Sequence, residues 1–306
     1  MCVGGVQFLY VPAGVTFTRG YIMESVSIGR RVPNLSVALE SRSAAMSAVL
    51  NDTHKESLRA ARVAWAAFRE SKGFKYDAPK LLTYPASQAK LGKSKEFTVG
   101  LTLQHASVAG VETCPWRGEC TRVCVLDNGN GRYANTQQGR NVKTQFLYEF
   151  PVTFTRLLVE ELRGLSAKYE RVLVRLNVNS DLRWARILPQ LVDGSIFPNV
   201  YFYDYTKNAA VLNGAGMVAA NYRAVYSVNE NSNLDKVAAF VARGGTAAIV
   251  TTRNKNTPPP STFMGLPVLD GDATDNRYDE RGAWIDLYAK GKARALIGKS
   301  EFVREI

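Results

Sequence analysis

From residue 97 onward, short apolar runs of strand character alternate with stretches of helical period, and this succession constrains the fold more than any other feature. "FTVGLTLQ" puts Phe97, Val99, Leu101 and Leu103 on one face of a strand over 97–104. Further strands are expected at 171–178, 199–205, 222–228, 246–252 and 266–270. Helical sequence lies between them: 138–168, interrupted at Pro151, then "LRWARILPQLV" and "NLDKVAAFVARGG", which ends on a glycine pair. Strand–helix–strand succession predicts an α/β fold, a partial or complete (β/α) barrel of about six mostly parallel strands.

The barrel-like domain is expected over 97–306. Residues 1–50 show no lasting period and read as a poorly structured extension, within which Met23 and Met46 are candidate alternative starts. Residues 51–96 read as a basic helix and linker. In the helix, Leu58, Ala61, Ala64 or Trp65, and Phe68 share a side, and Gly73 lies past its end. Pro79 and Pro85 mark the connecting segment.

The residues that follow each strand bear on function, because ligands of parallel α/β folds sit at the carboxyl ends of strands. His105 and a cysteine loop follow the first strand, and Asn179-Ser180-Asp181 the second. Thr206-Lys207-Asn208 and Asn229-Glu230-Asn231 follow the third and fourth. Arg253-Asn254-Lys255 follows the fifth, and Asp270-Gly271-Asp272 with Asp275 the sixth. Some of these are ordinary helix caps, as Asp181 and Asn231 read in isolation. Six polar clusters at six strand ends point to a shared site.

The loop "VETCPWRGECTRVCVLDNGNGRYA" holds Cys114, Cys120 and Cys124, separated by five and three residues. Thiolates are soft ligands suited to zinc or iron–sulfur clusters. Zinc would need a fourth ligand, and His105 is the nearby candidate. A [4Fe–4S] cluster held by three cysteines leaves one iron open, and Gly118, Gly129 and Gly131 would let the backbone bend around it. Inert buried cysteines are the third alternative.

The net charge is +12, and ten Lys or Arg against four acids between His54 and Glu96 supply half of it. Such a patch makes a nucleic acid or nucleotide an expected partner. No long apolar run marks a membrane span, and "MCVGGVQFLYVPAGV" lacks a basic n-region, so a cytosolic, reducing location is expected. Two histidines are too few for most His-based designs, and neither H-E-x-x-H nor a G-x-x-x-x-G-K-[ST] loop occurs. A carboxylate-based hydrolase or transferase using Asp181 and Asp270 is a weaker alternative.

"ETCPWRGECTRVCVLDNGNGRYA", "LVRLNVNSDLRW", "YFYDYTKN", "YSVNEN" and "VLDGDATDNRYD" together resemble the gene product 88 family of actinobacteriophages, over roughly residues 97–294. More distantly, the order of cysteine loop, "NSDL" and "YTKN" is similar to phage proteins related to radical S-adenosylmethionine (SAM) enzymes. That resemblance implies a partial barrel with the cluster loop after its first strand. It also implies an open iron that binds SAM, reductive cleavage to a 5′-deoxyadenosyl radical, and hence an electron donor. It implies a location in the host cell cytoplasm if the chain is phage-encoded. The spacing here departs from the common shorter one, Val123 stands where an aromatic precedes the last cysteine, and no Gly-Gly-Glu follows the second strand.

On this reading Cys114, Cys120 and Cys124 hold the metal. Asn179, Ser180, Asp181, Arg253 and Asp272 bind cofactor, and Lys207, Glu230 and Asp270 act on substrate. The alternative is a non-catalytic nucleic-acid-binding protein braced by zinc or a cluster. Lys207 as a surface lysine and Glu230 as a first-turn helix acid are the ordinary readings of those two residues.

Overall fold

The computed structural model describes residues 32–75, 79–85, 96–124, 126, 129–214 and 219–306. The opening segment with Cys2 and Met23, and the linker lysines Lys90, Lys93 and Lys95, lie outside the described residues.

Among the described residues, nine strands form one sheet: β1 (Phe97–Gly100), β2 (Val172–Arg175), β3 (Val200–Thr206), β4 (Tyr222–Ser227), β5 (Thr246–Thr251), β6 (Thr262–Phe263), β7 (Leu266–Asp270), β8 (Ala283–Tyr288) and β9 (Val303–Arg304). Their order is β1-β2-β3-β4-β5-β8-β7-β6, with β9 also on β5. Every ladder is parallel except the β6–β7 hairpin.

The fold is therefore α/β with a mostly parallel sheet, but it is open rather than a six-stranded barrel. The edge of β1 that a barrel would close is occupied instead. Thr83 N–H donates to Gly100 O at 2.7 Å and Gly100 N–H to Thr83 O at 3.0 Å. The sixth parallel strand beside β5 is β8, and the expected strand at 266–270 lies outside it as β7.

Strand alternation gives the sheet two unlike faces. Val172, Val174, Val200, Phe202, Ala224, Ala247, Ile249 and Trp284 point into the main core. They meet the helices Ala134–Glu149, Pro151–Lys168 and Leu234–Ala242 there. Pro151 ends one helix and opens the next, where its missing N–H costs nothing. "LRWARILPQLV" likewise forms two short helices, Trp184–Ile187 and Pro189–Val192, rather than one. The opposite face presents Leu173, Tyr203, Val225, Ala248 and Ile285, half-buried Arg175, and Tyr201 and Tyr205 packed beside them. Residues 271–281 lie over it through Arg277, whose Nε–H donates to Tyr205 Oη at 2.8 Å, and through Tyr278.

Residues 35–71, ahead of β1, belong to this body. Helices at Leu35–Glu40, Ser43–Ser47 and Lys55–Ser71 carry Leu35, Leu39, Met46, Trp65 and Phe68 into the main core. The irregular reading of residues 1–50 thus does not extend over 35–47. In the third of these helices Trp65 rather than Ala64 faces inward. Among the described residues, no helix is long and apolar enough to cross a membrane.

Candidate functional site

The cysteine loop is tied to the ends of β2 and β4. Asn179 does the first tie, because its side-chain amide imitates a strand. Its Oδ1 accepts from Leu103 N–H at 2.9 Å and its Nδ2 donates to Leu103 O at 2.8 Å, which lengthens the β1–β2 ladder beyond the strands proper. The Asp181 N–H donates to Thr113 O at 2.8 Å, and Cys114 Sγ donates to Asn179 O at 3.6 Å. The loop then reaches the end of β4, where Glu119 N–H donates to Glu230 Oε1 at 3.0 Å. A β-carbon at Gly118 would overlap that carboxylate, so the approach needs glycine.

The third strand end closes the ring. Lys207 N–H donates to Asp181 Oδ2 at 2.8 Å, and Lys207 Nζ donates to Ser227 Oγ at 3.0 Å. The C-terminal strand fills the flank. β4 leaves β5 at Ser227–Ala248, and β9 takes its place at Val250–Val303. Phe302, Val303, Leu296, Ala289 and Val123 form a small apolar cluster, against which Cys120 packs.

Of the residues expected to share a site, Cys114, Asn179, Asp181, Lys207 and Glu230 are brought together by these bonds. Asn179 and Ser180 are used inside the scaffold: Ser180 Oγ donates to Asn177 Oδ1 at 2.8 Å and is buried. Asp181 is buried too, and burial raises its pKa against the pull of the Lys207 N–H. Burial, then Asp181 and Cys124, push the Cys114 thiol up to about 12. Cys114 is therefore a protonated donor at neutral pH.

Arg253, Asp270 and Asp272 stand apart in a salt-bridge cluster. Arg253 bonds Asp286 through Nε, and its Nη2 lies 3.2 Å from Asp270 and 3.4 Å from Asp272. Asp270 and Asp286 are paired in register and continue the core-facing side of β7 and β8, after Val268 and Trp284. Lys207 and Ser227 follow the other parity, in line with Tyr205 and Val225.

The three sulfurs do not form a ligand set. Among the described residues, no group of three or more His, Cys, Asp or Glu is disposed to hold a metal ion. His105, the expected fourth zinc ligand, has its Nδ1 2.6 Å from Ser107 Oγ. A metal would require Cys114 to lose the proton it shares with Asn179 O. As placed, these residues do not fit a cluster or zinc.

Two residues escaped the sequence reading. Ser227 precedes "VNEN" on the parity opposite Tyr226, a signal that alternation carried. Asp204 interrupts the aromatic run "YFYDYTKN" and is fully buried, accepting from Asn177 N–H at 2.6 Å and Tyr222 Oη–H at 3.2 Å. Burial pushes it up to about 7.

A family model described as "Gene product 88" matches residues 40–305, which include every strand of the sheet. No curated protein and no solved structure matches the chain.

Proposed function

The chain belongs to the gene product 88 family, and on that premise we propose that it is an enzyme whose site lies at the carboxyl edge of β2, β3 and β4, beneath the cysteine loop. One observation carries this reading. Glu230 Oε2 is buried and has no hydrogen-bond partner among the described residues, although Oε1 is held by the loop. An unpaired buried carboxylate oxygen is costly, and a ligand N–H or O–H would relieve it. The site thus suits a molecule with an amino group or hydroxyls, a class that includes SAM. Glu230 anchors that donor, and the Lys207 ammonium beside Ser227 faces an anionic group of the same ligand. Asp181 holds Lys207 in place through its backbone.

A second reading is the radical SAM-like iron–sulfur enzyme, and what favours it is topology. The cysteine loop follows the first of six parallel strands that lie side by side as β1, β2, β3, β4, β5 and β8. The sulfur positions speak against it as they stand, so the loop would have to draw its thiols together. Zinc in the same loop, bracing a nucleic-acid-binding surface, has less support. Arg62 and Lys72 of the basic helix are paired with Glu160 and Glu149.

Anaerobic reconstitution followed by iron, sulfide and zinc quantification separates these readings. Iron and sulfide bound through Cys114, Cys120 and Cys124, with 5′-deoxyadenosine formed from SAM, would establish the second. One zinc per chain would favour the third. Metal-free protein that binds SAM would favour the first.

A further inference from the structure

A second recess lies at the opposite, amino-terminal end of the parallel strands. It has a volume of about 110 Å³ and is lined by Arg223 and Val225 of β4, Thr246 of β5, Arg243 and Gly244 after the helix Leu234–Ala242, and Arg281. Arg277 and Glu280 also border it, but they neutralise one another at 2.8 Å. Arg223, Arg243 and Arg281 make no salt bridge among the described residues. Arg223 Nη1 donates to the carbonyls of Ala219 and Tyr222, and its Nε is buried with no partner. The guanidinium groups of Arg223 and Arg281 lie 5.1 Å and 5.7 Å from the same Tyr278 ring.

Two guanidinium groups against one ring repel each other, and that repulsion adds to burial in lowering the Arg281 pKa. Asp279 offsets part of the Arg281 charge, but its carboxylate is already engaged by Arg171 at 2.6 Å. Neutral groups do not fill the gap either. The Gly244 and Gly245 N–H groups are spent on Val241 O and Phe240 O, and the Thr246 hydroxyl on Glu280 O. What remains is an excess of forked cationic donors around a recess too small for a polymer. Such donors match tetrahedral oxyanions, and several of them together favour a multiply charged one.

We propose that this recess binds the phosphoryl group of a small molecule through Arg223, Arg281 and Arg243. It is separate from the carboxyl-edge site and independent of what that site does. The ligand is either a phosphomonoester or inorganic phosphate.

The test uses the full chain. Its thermal midpoint is followed with inorganic phosphate, with glycerol phosphate, and with chloride of the same ionic strength, and affinities are measured by calorimetry. Phosphate is expected to raise the midpoint above chloride. Arg281→Gln and Arg243→Gln are each expected to weaken phosphate binding about tenfold. Arg281→Gln removes the repulsion together with bonds to the Tyr278 and Glu280 carbonyls, and Arg243→Gln removes one to Leu212 O, so each variant's phosphate response is read against its own ligand-free midpoint. Tighter binding of glycerol phosphate than of phosphate would mark a phosphomonoester as the ligand, and the reverse would mark the free ion. Equal midpoints in phosphate and chloride, or equal responses of wild type and Arg281→Gln, would overturn the proposal. A single-stranded oligonucleotide that binds more tightly than either probe and needs the same arginines would also overturn it, in favour of an extended phosphodiester.

Discussion

The backbone of Gly118 lies directly against the Glu230 carboxylate, leaving no room for a side chain at 118. Through this contact and the Glu119 N–H bond, the cysteine loop rests on the end of β4. Gly118→Ala would swing the end of the flexible Glu230 side chain away from the Glu119 N–H and is expected to destabilise the protein by about 1 kcal/mol, the usual worth of one hydrogen bond. Combined with Glu230→Ala it should cost less than the sum, because the second change makes room. Denaturant midpoints of the two single variants and the double variant check this.

Cys114 donates its thiol proton to Asn179 O, and burial keeps that proton in place. The expected outcome with iodoacetamide at pH 8 is that Cys114 stays unmodified in the folded chain and reacts only in denaturant. Mass mapping of alkylated peptides reads this directly. Rapid native modification of Cys114 would mean that the loop opens far enough to gather its thiols.

The parts of this arrangement that could be read in the sequence are those set by periodicity. Alternation locates six of the parallel strands, β1 to β5 and β7, and the polar ends of β2, β3 and β4 mark Asp181, Lys207 and Glu230. β8 escaped because "AWIDLY" carries Asp286 in its middle, which reads as a break. Only the structure shows that Arg253, thirty-three positions earlier, neutralises it. The helices at 35–47 were missed because they are six and five residues long, too short to display a period. Asn179 and Ser180 were placed at the right strand end. Their hydrogen bonds go to the backbone of β1 and to Asn177, and no spacing rule could reveal that.

Asp204 gives the protein a pH signature. Its folded pKa, about 7, lies above the ordinary carboxylate value. The protonated form is therefore favoured on folding, and that stability is present at low pH and lost as pH rises through 7. Wild type should lose about 1 kcal/mol between pH 6 and 7 from this group and little more above pH 7. Asp204→Asn should flatten that slope while still accepting from Asn177 N–H. Urea midpoints of both proteins across pH 6 to 8 test the sign.

Arg253 is 7% exposed and meets Asp286, which is fully buried. Arg253→Ala would leave that carboxylate uncompensated and is expected to cost about 3–5 kcal/mol. The same variant should not alter ligand affinity at the carboxyl edge, because the cluster lies on the other face of the sheet. Unfolding and binding measured on one preparation distinguish the two effects.

The most direct test of the carboxyl-edge site is the affinity for SAM, measured by anaerobic calorimetry on wild type and on Glu230→Gln. Glutamine keeps an oxygen for the Glu119 N–H but removes the charge that would receive the ligand's donor. Binding by wild type and at least about tenfold weaker binding by the variant is the predicted result. Equal affinities, or no binding by wild type, would contradict Glu230 as the anchor for a SAM-like ligand.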